Sequence, residues 1–209
     1  MTITENLQPE GLRARKRRRT ENAIESAAVS LALDLGVSEV TVDAICERAD
    51  ISRSTFFNYF GSRDDAIVGR AIEIADHEAA FAVLDSSPDN LPLGLFRLLF
   101  AAIGHRRVNA EVARERIRLI GEQPEAGRLA LASLLQSSYQ LNAVAIAWLR
   151  ARPEHAKLES PEREAMFAVS LVNGAVTAQI AVWAAGTGDV DADESEFIAA
   201  LDDFRAVIG

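Results

Sequence analysis

Residues 53–59 combine side chains that suit contacts with duplex DNA. An arginine can donate two hydrogen bonds to guanine, an asparagine matches the edge of adenine, and hydroxyl groups donate to phosphates. The stretch contains these types at Arg53, Ser54, Thr55, Asn58 and Tyr59. On one exposed helix face, they predict a surface that contacts both base edges and the phosphate backbone.

A second group of side chains is cationic and lies nearer the amino terminus. Six of the chain's 22 basic residues fall within seven positions, namely Arg13, Arg15, Lys16, Arg17, Arg18 and Arg19. Such a block repels itself, so a polyanion is its natural partner. We therefore expect residues 1–19 to form a flexible basic arm in which Arg17, Arg18 and Arg19 contact phosphates.

The segment after this arm has the spacing of an amphipathic helix. Its apolar side chains recur at intervals of four, three and four residues, at Ile24, Ala28, Leu31 and Leu35. Gly36 follows this stripe and tolerates positive φ. The pattern therefore predicts a helix over residues 20–36 that ends at the glycine.

Polar residues then mark the starts of further helices. Thr41 and Ser52 each carry a hydroxyl that can accept from the first free amides of a helix, and Ser62 opens a capping box. Asp50 lies at the intervening turn and tolerates positive φ better than most residues do. This order is typical of a helix-turn-helix. The alternative is three amphipathic helices packed only for stability, whose polar residues point outward because that side is exposed to solvent.

Residues 41–63, TVDAICERADISRSTFFNYFGSR, resemble the DNA-binding signature of TetR-type transcriptional regulators. The similarity covers the amino-terminal third of the chain. It implies phosphate contacts from Thr41, Thr55, Tyr59 and Arg63. It assigns the base edges to Arg53, Ser54, Phe57 and Asn58.

The sequence departs from this signature at three positions. Many relatives have Gly, Tyr and Lys where this chain has Asp50, Phe57 and Arg63. Asp50 can still make the turn, and Arg63 keeps the positive charge toward the phosphates. Phe57 lacks a phenolic hydroxyl, although its ring can pack on a thymine methyl group.

Composition and charge bound the class of protein. The chain has 209 residues, of which 49% are hydrophobic, enough for a continuous core. Its net charge of −9 is uneven: residues 12–63 hold 9 basic and 7 acidic residues, whereas residues 71–209 hold 12 and 20. The amino-terminal part is therefore expected to face phosphates. The single cysteine, Cys46, excludes an internal disulfide, and no signal peptide is visible, so we expect a cytoplasmic protein.

Breaker residues divide the remainder of the chain into helices. The divisions fall near residues 86–90, 123–124, 153 and 160–161. The segments between them predict helices at 63–84, 91–107, 109–121, 124–151, 161–186 and 194–208. No alternating run is long enough for a sheet, so the predicted fold class is all-α. We divide it into the arm at 1–19, a helix-turn-helix domain at 20–62, and a helical effector-binding and dimerisation domain at 63–209.

Two long uncharged runs, 129–149 and 165–188, raise the question of a membrane segment. Each is long enough to cross a bilayer. Both contain several Ser, Asn, Gln or Thr residues, which are costly in lipid and favour helices buried within protein. We therefore expect no membrane partner.

The second run also predicts a subunit interface. A strip of mostly small side chains recurs every four residues, at Ser170, Gly174, Ala178 and Val182. The amphipathic last helix adds Phe197, Leu201 and Phe204. Together they predict a four-helix homodimer interface, the manner in which TetR-type proteins dimerise, and a dimer would span a near-palindromic duplex. The alternative is a helix pair within one chain.

Aromatic and polar side chains on the later helices predict a cavity for a small molecule. The candidates are Phe96, Phe100, Arg118, Tyr139, Asn142, Trp148, Asn173 and Trp183. Residues 116–126, RIRLIGEQPEA, resemble a motif of TetR-type regulators with acyl-CoA-like ligands, which would place Arg114, Arg116 or Arg118 near an anionic head group. The alternative is that the aromatic residues are core and the arginines are solvated.

The sequence contains no glycine-rich phosphate loop, nucleophile elbow or zinc signature, so we expect neither an enzyme nor a cofactor or metal. Residues 189–193 imitate a calcium loop, but Glu194 and Ala200 stand where Gly and Glu are needed. We expect a homodimeric repressor that a small apolar or acyl-type ligand releases from its operator. The alternatives are a constitutive dimeric DNA-binding protein and an apolar-ligand-binding enzyme or carrier.

Overall fold

The structure is a computed structural model that describes residues 11–208, apart from the side chain of residue 208. Its helices are α1 (Leu12–Leu35), α2 (Val42–Ala49), α3 (Arg53–Phe57), α4 (Arg63–Val68), α5 (His77–Asp85), α6 (Leu91–Ile103), α7 (Ala110–Glu122), α8 (Pro124–Ala151), α9 (Pro161–Ala184) and α10 (Glu194–Ile208). Two short 3-10 turns, Val37–Glu39 and Pro153–His155, follow α1 and α8. The predicted all-α class is confirmed.

Helix α1 begins eight residues earlier than the sequence predicts. The expected flexible arm is wrong for residues 12–19, which form the first turns of α1, while residues 1–10 lie outside the described part of the chain. The prediction from charge repulsion omitted carboxylates that the fold brings close. Asp189 lies 2.9 Å from the Nε atom of Arg18, and Glu21 lies one turn after Arg17 on the same helix.

The amino-terminal core contains three of the four residues of the predicted apolar stripe of α1, whereas Leu35 is 55% exposed. Ile24, Ala28 and Leu31 are buried against residues of α2, α3 and α4. Gly36 has the expected positive φ, 94°, and its amide donates to Ala32 at 2.9 Å. Val112 and Leu119 of α7 belong to the same core, so the packing extends past the predicted domain boundary at residue 62.

The predicted helix at 63–84 is wrong, because it is two helices separated by a connector at residues 69–76. Helix α4 ends at Gly69, where φ is +94°, and α5 begins after Asp76 caps the amide of Ala79 at 3.0 Å. Hydroxyl groups of α8 replace part of the missing helical hydrogen bonding. Ser133 donates to the carbonyl of Gly69 at 3.0 Å, and Ser137 accepts from a connector amide, that of Ile72, at 3.2 Å.

The larger core lies among α5, α6, α8, α9 and α10. The rings of Phe96 and Phe197 stack with centroids 4.2 Å apart, joining α6 to α10. Helix α9 (mean hydropathy 1.7 over its most apolar window) is long and apolar enough to cross a membrane. It packs against α6, α7, α8 and α10, as the core helix of a bundle does.

A two-stranded antiparallel sheet, absent from the prediction, joins β1 (Arg107–Asn109) to β2 (Asp189–Asp191). Val108 pairs with Val190 at its centre. Asp189 accepts from Arg18 and Asn22 of α1, each at 2.9 Å. The sheet therefore attaches the start of α1 to the segment before α10.

Candidate DNA-binding surface

The caps of α2 and α3 are those that the sequence predicts. The hydroxyl of Thr41 accepts from the amide of Ala44 at 3.1 Å, and that of Ser52 accepts from Thr55 at 3.1 Å. Asp50 ends α2 in the left-handed conformation, with φ 53° and ψ 52°. These three residues set the direction in which the short helix α3 leaves the turn.

An aromatic side chain fixes the rotation of α3 about its axis. Phe56 is fully buried and contacts Phe57 edge to face at 5.3 Å and Phe60 at 6.0 Å. Phe56 points inward, whereas Arg53 and Phe57 are exposed, Phe57 to 51%. Asn58 is also exposed, and its carboxamide makes no hydrogen bond within the described residues.

Arg53 has a carboxylate partner that the sequence analysis missed. Its guanidinium forms an ion pair with Asp43 of α2, and the two side chains are 59% and 72% exposed. It also lies over the ring of Phe57, 5.9 Å from the centroid. The signal available in the sequence was the position of Asp43, which lies in the first turn of α2, the helix that precedes α3.

The hydroxyl groups of this surface are arranged around Ser52. Its oxygen lies 2.9 Å from that of Ser54 and 2.9 Å from that of Thr55. Ser54 is exposed, whereas Thr55 and Tyr59 are half-buried.

The start of α1 lies beside the end of α3. The guanidinium of Arg17 is 5.8 Å from the centroid of the Tyr59 ring. Arg17 and Arg19 are exposed, as the predicted phosphate contacts require. One continuous surface therefore contains basic residues of α1 and the polar face of α3.

Arg18 and Arg63 occupy different positions from those expected. The side chain of Arg18 is only 10% exposed and bonds to Asp189. Arg63 donates to the carbonyls of Val37 and Ser38 at 3.1 and 3.0 Å, and so holds the turn after α1. The burial of Arg18 contradicts its predicted phosphate contact, whereas the side chain of Arg63 is 32% exposed and its phosphate contact stays a prediction.

Four of the predicted ligand residues are core residues. Phe96, Phe100, Trp148 and Trp183 are each at most 6% exposed. The indole groups of Trp148 and Trp183 donate at 2.8 Å to carboxylates of Asp85 and Glu196, respectively. The hydrogen bond from Trp148 lowers the pKa of Asp85. This burial is what the alternative that the aromatic residues are core predicts.

The other four predicted ligand residues do not meet around a common space. Tyr139 is 73% exposed, and Arg118 is paired with Glu122 at 2.8 Å on the exposed side of α7. The amide of Asn142 donates to the carbonyl of Ser138, and that of Asn173 to its hydroxyl, both at 2.9 Å. Arg114 and Arg116 instead donate to backbone carbonyls after α9 and at the end of α4.

The predicted dimer residues divide into two groups. Ser170, Ala178 and Val182 form an exposed row on α9. The second group packs within the chain. Phe197 and Leu201 are buried, and the Phe204 ring lies 2.9 Å from where a Cβ on Gly174 would stand. For Gly174 and these α10 residues, the contacts are those that the alternative of a helix pair within one chain predicts.

Comparison with known proteins agrees with the geometry of the amino-terminal helices. Residues 24–66 match the family model described as bacterial regulatory proteins, tetR family. No curated protein matches the sequence. A crystal structure of RolR in complex with resorcinol is 21% identical, covers 82% of this chain and 87% of its own, and has a TM-score of 0.32. A structure of the multidrug binding protein EbrR with imidazole is 15% identical, covers 90% and 89%, and has a TM-score of 0.28. The residues that match the family model are those that form the end of α1, the capped helix-turn-helix and the start of α4.

Proposed function

We propose that the protein is a homodimeric transcriptional repressor that binds a near-palindromic operator in the cytoplasm. The observation that carries the proposal is the orientation of α3, in which buried Phe56 leaves Arg53, Phe57 and Asn58 exposed together. A guanidinium, a ring and a carboxamide on one helix face can contact guanine, the thymine methyl group and adenine.

The proposed contacts divide between specificity and affinity. Arg53, Ser54, Phe57 and Asn58 contact base edges in the major groove. Thr41, Thr55, Tyr59, Arg17 and Arg19 contact phosphates. Because phosphate contacts release condensed counterions, removing them weakens binding to all sequences and reduces its salt dependence.

The exposed row on α9 supports dimerisation. Ser170 and Ala178 are small, and Val182 is 59% exposed, so a second helix can approach this face closely. Ile198 of α10 adds a side chain that is 42% exposed. Two copies joined there would present two α3 helices to one duplex, which is the arrangement that a near-palindromic site requires.

The filled core of the larger domain favours a second candidate. Phe96, Trp148 and Trp183 are buried among other side chains, so an acyl chain would have to displace protein atoms there. A regulator that binds DNA constitutively, with a carboxy-terminal part used for dimerisation, is consistent with this packing. A ligand that regulates the proposed repressor would therefore bind outside this packed core.

Selection from a library of random duplexes tests the proposed function. The full chain is incubated with the library at about 150 mM salt, and the bound fraction is amplified and sequenced. We expect enrichment of two inverted half-sites whose centres lie about one helical turn or a multiple of it apart. Retention of all sequences in proportion to their abundance would overturn the proposal of sequence-specific binding.

A further inference from the structure

We propose that the cavity between α1 and the connector at residues 69–76 binds a small polar anion, a carboxylate or phosphate compound, that competes with DNA for Arg17. The cavity has a volume of about 820 Å³. The effect of the anion on regulation rests on the proposed function, whereas the anion site itself does not depend on that function.

The cavity lies between the DNA-binding helices and the rest of the chain. Arg17 of α1 and Tyr59 lie on one side, and Arg70 and Ala71 of the connector and His105 after α6 lie on the other. Cavities of 300–1,000 Å³, roughly, accommodate small-molecule ligands. A molecule here would touch the surface that we assign to DNA.

Arg17 supplies an exposed cation, whose charge also helps to lower the pKa of Glu21 one turn later on α1. It forms no ion pair within 4.0 Å in the described part of the chain, and its guanidinium lies 5.8 Å from the centroid of the Tyr59 ring. The backbone amides of Arg70 and Ala71 also lack an acceptor in the part of the chain that is described. A guanidinium and unpaired amides are the donors from which anion sites are built.

The buried acidic residue of the cavity is already compensated. The carboxylate of Glu21 lies 3.4 Å from both the Nε2 atom of His105 and a guanidinium nitrogen of Arg70. Burial alone would raise the pKa of Glu21, but the hydrogen bond from His105 and the charge of Arg70 outweigh it and lower that pKa. The Nδ1 atom of His105 accepts from the amide of Arg107, which leaves the Nε2 hydrogen for Glu21.

The cavity contains two further acidic groups, Asp65 and Glu73. Asp65 accepts from the hydroxyl of Ser62 at 2.8 Å and lies in the first turn of α4, where the helix dipole favours negative charge. Glu73 is exposed, so water screens its charge. Arg18 and Arg70 form ion pairs, so Arg17 is the arginine of the cavity without an ion pair among the described residues.

Use of one guanidinium by two anions gives a direct means of regulation. If Arg17 binds the ligand, it is withdrawn from the phosphate backbone, so ligand and DNA weaken each other's binding by the same factor. No rearrangement of the filled carboxy-terminal core is required. The same reciprocity predicts that DNA lowers the affinity of the anion.

Calorimetric titration of the full chain with citrate and with inorganic phosphate tests the site, with sodium chloride of equal ionic strength as the baseline. We compare the wild type with Arg17→Ala and with Arg19→Ala, which removes the same charge from the same helix outside the cavity. We expect citrate or phosphate to bind the wild type and Arg19→Ala equally and Arg17→Ala about tenfold more weakly. Equal loss in both variants, or no binding above the chloride baseline, would overturn the proposal.

A second measurement separates this inference from the proposed function. Fluorescence anisotropy with the selected duplex should show that the bound anion weakens DNA binding by the wild type more than chloride does, and that Arg17→Ala lacks this difference. If the wild type binds anion but no duplex, the proposed function fails and the site stands. If it binds duplex with the same affinity in citrate, phosphate and chloride, competition for Arg17 is refuted.

Discussion

Replacement of Asp43 by asparagine should strengthen DNA binding, because Asp43 holds Arg53 in the unbound protein. The ion pair joins α2 to α3 on the exposed surface. To contact a guanine, Arg53 must leave this carboxylate. Asp43→Asn removes the competitor and keeps a side chain of nearly the same shape.

The magnitude follows from the exposure of the pair. Both side chains are more than half exposed, 59% for Arg53 and 72% for Asp43. Exposed ion pairs contribute about 0.2–1 kcal/mol, which corresponds to an affinity change of up to about fivefold. Salt screens such a pair, so the gain should shrink as the ionic strength rises.

Fluorescence anisotropy with the selected duplex, at several salt concentrations, measures the effect. The matched control is Glu47→Gln, which removes a negative charge from an exposed residue of α2 that has no ion pair within the described residues. Asp43→Asn should increase affinity about two- to fivefold more than Glu47→Gln does at low salt. Equal gains in the two variants, or weaker binding by Asp43→Asn, would refute the role of the pair.

Three further predictions concern stability and assembly. In the wild type, the amide of Val37 donates to the side chain of Gln123 at 3.0 Å, and Gln123→Ala leaves this buried amide without its acceptor. The free energy of unfolding should therefore fall by about 2 kcal/mol, and Tm should fall by about 6 °C in a thermal scan. Folding lowers the pKa of Glu21 below its ordinary value of 4.5, so the ionised carboxylate stabilises the fold above that pH. In urea unfolding, the difference in stability between the wild type and Glu21→Gln should therefore shrink as the pH falls below 4.5. Val182→Glu puts a charge on the exposed row of α9, so we expect sedimentation to show dimers for the wild type, as proposed, and monomers for this variant.

Each of these has a control and a contradictory outcome. Gln136→Ala, on an exposed residue of α8, should leave Tm unchanged, and an equal fall would show that the bond to Val37 is unimportant. Glu47→Gln should not alter how the stability of the protein depends on pH. If the difference in stability between the wild type and Glu21→Gln is the same at every pH, the lowered pKa of Glu21 does not contribute to stability. Ala143→Glu, exposed on α8, should remain dimeric, whereas a dimeric Val182→Glu would exclude α9 as the interface.

Local signals in the sequence predict the DNA-binding helices well. The caps at Thr41 and Ser52 and the left-handed Asp50 are confirmed, because each depends on neighbours within a few residues. The bounds of α8 and α10 agree with the prediction to the residue. Short-range hydrogen bonding and turn chemistry are sufficient for such features.

Features that depend on distant residues were not predictable in this way. The break at Gly69 is supported by hydroxyls of α8 more than sixty positions later, and helical periodicity continues across it in the sequence. The burial of Arg18 depends on Asp189. Residue type also fails to separate core from ligand-binding aromatics, as Trp148 shows, since both uses require an apolar ring.

The central claim is that α3 presents Arg53 and Asn58 to base edges, and the base preference of variants tests it most directly. The selection from random duplexes is repeated with Arg53→Ala and Asn58→Ala, and Arg19→Ala serves as a phosphate-contact control. We predict that each α3 variant loses preference at particular base pairs, at a cost of about 1–3 kcal/mol there, while Arg19→Ala keeps the same enriched site with uniformly weaker binding. An unchanged enriched site for both Arg53→Ala and Asn58→Ala would contradict the claim.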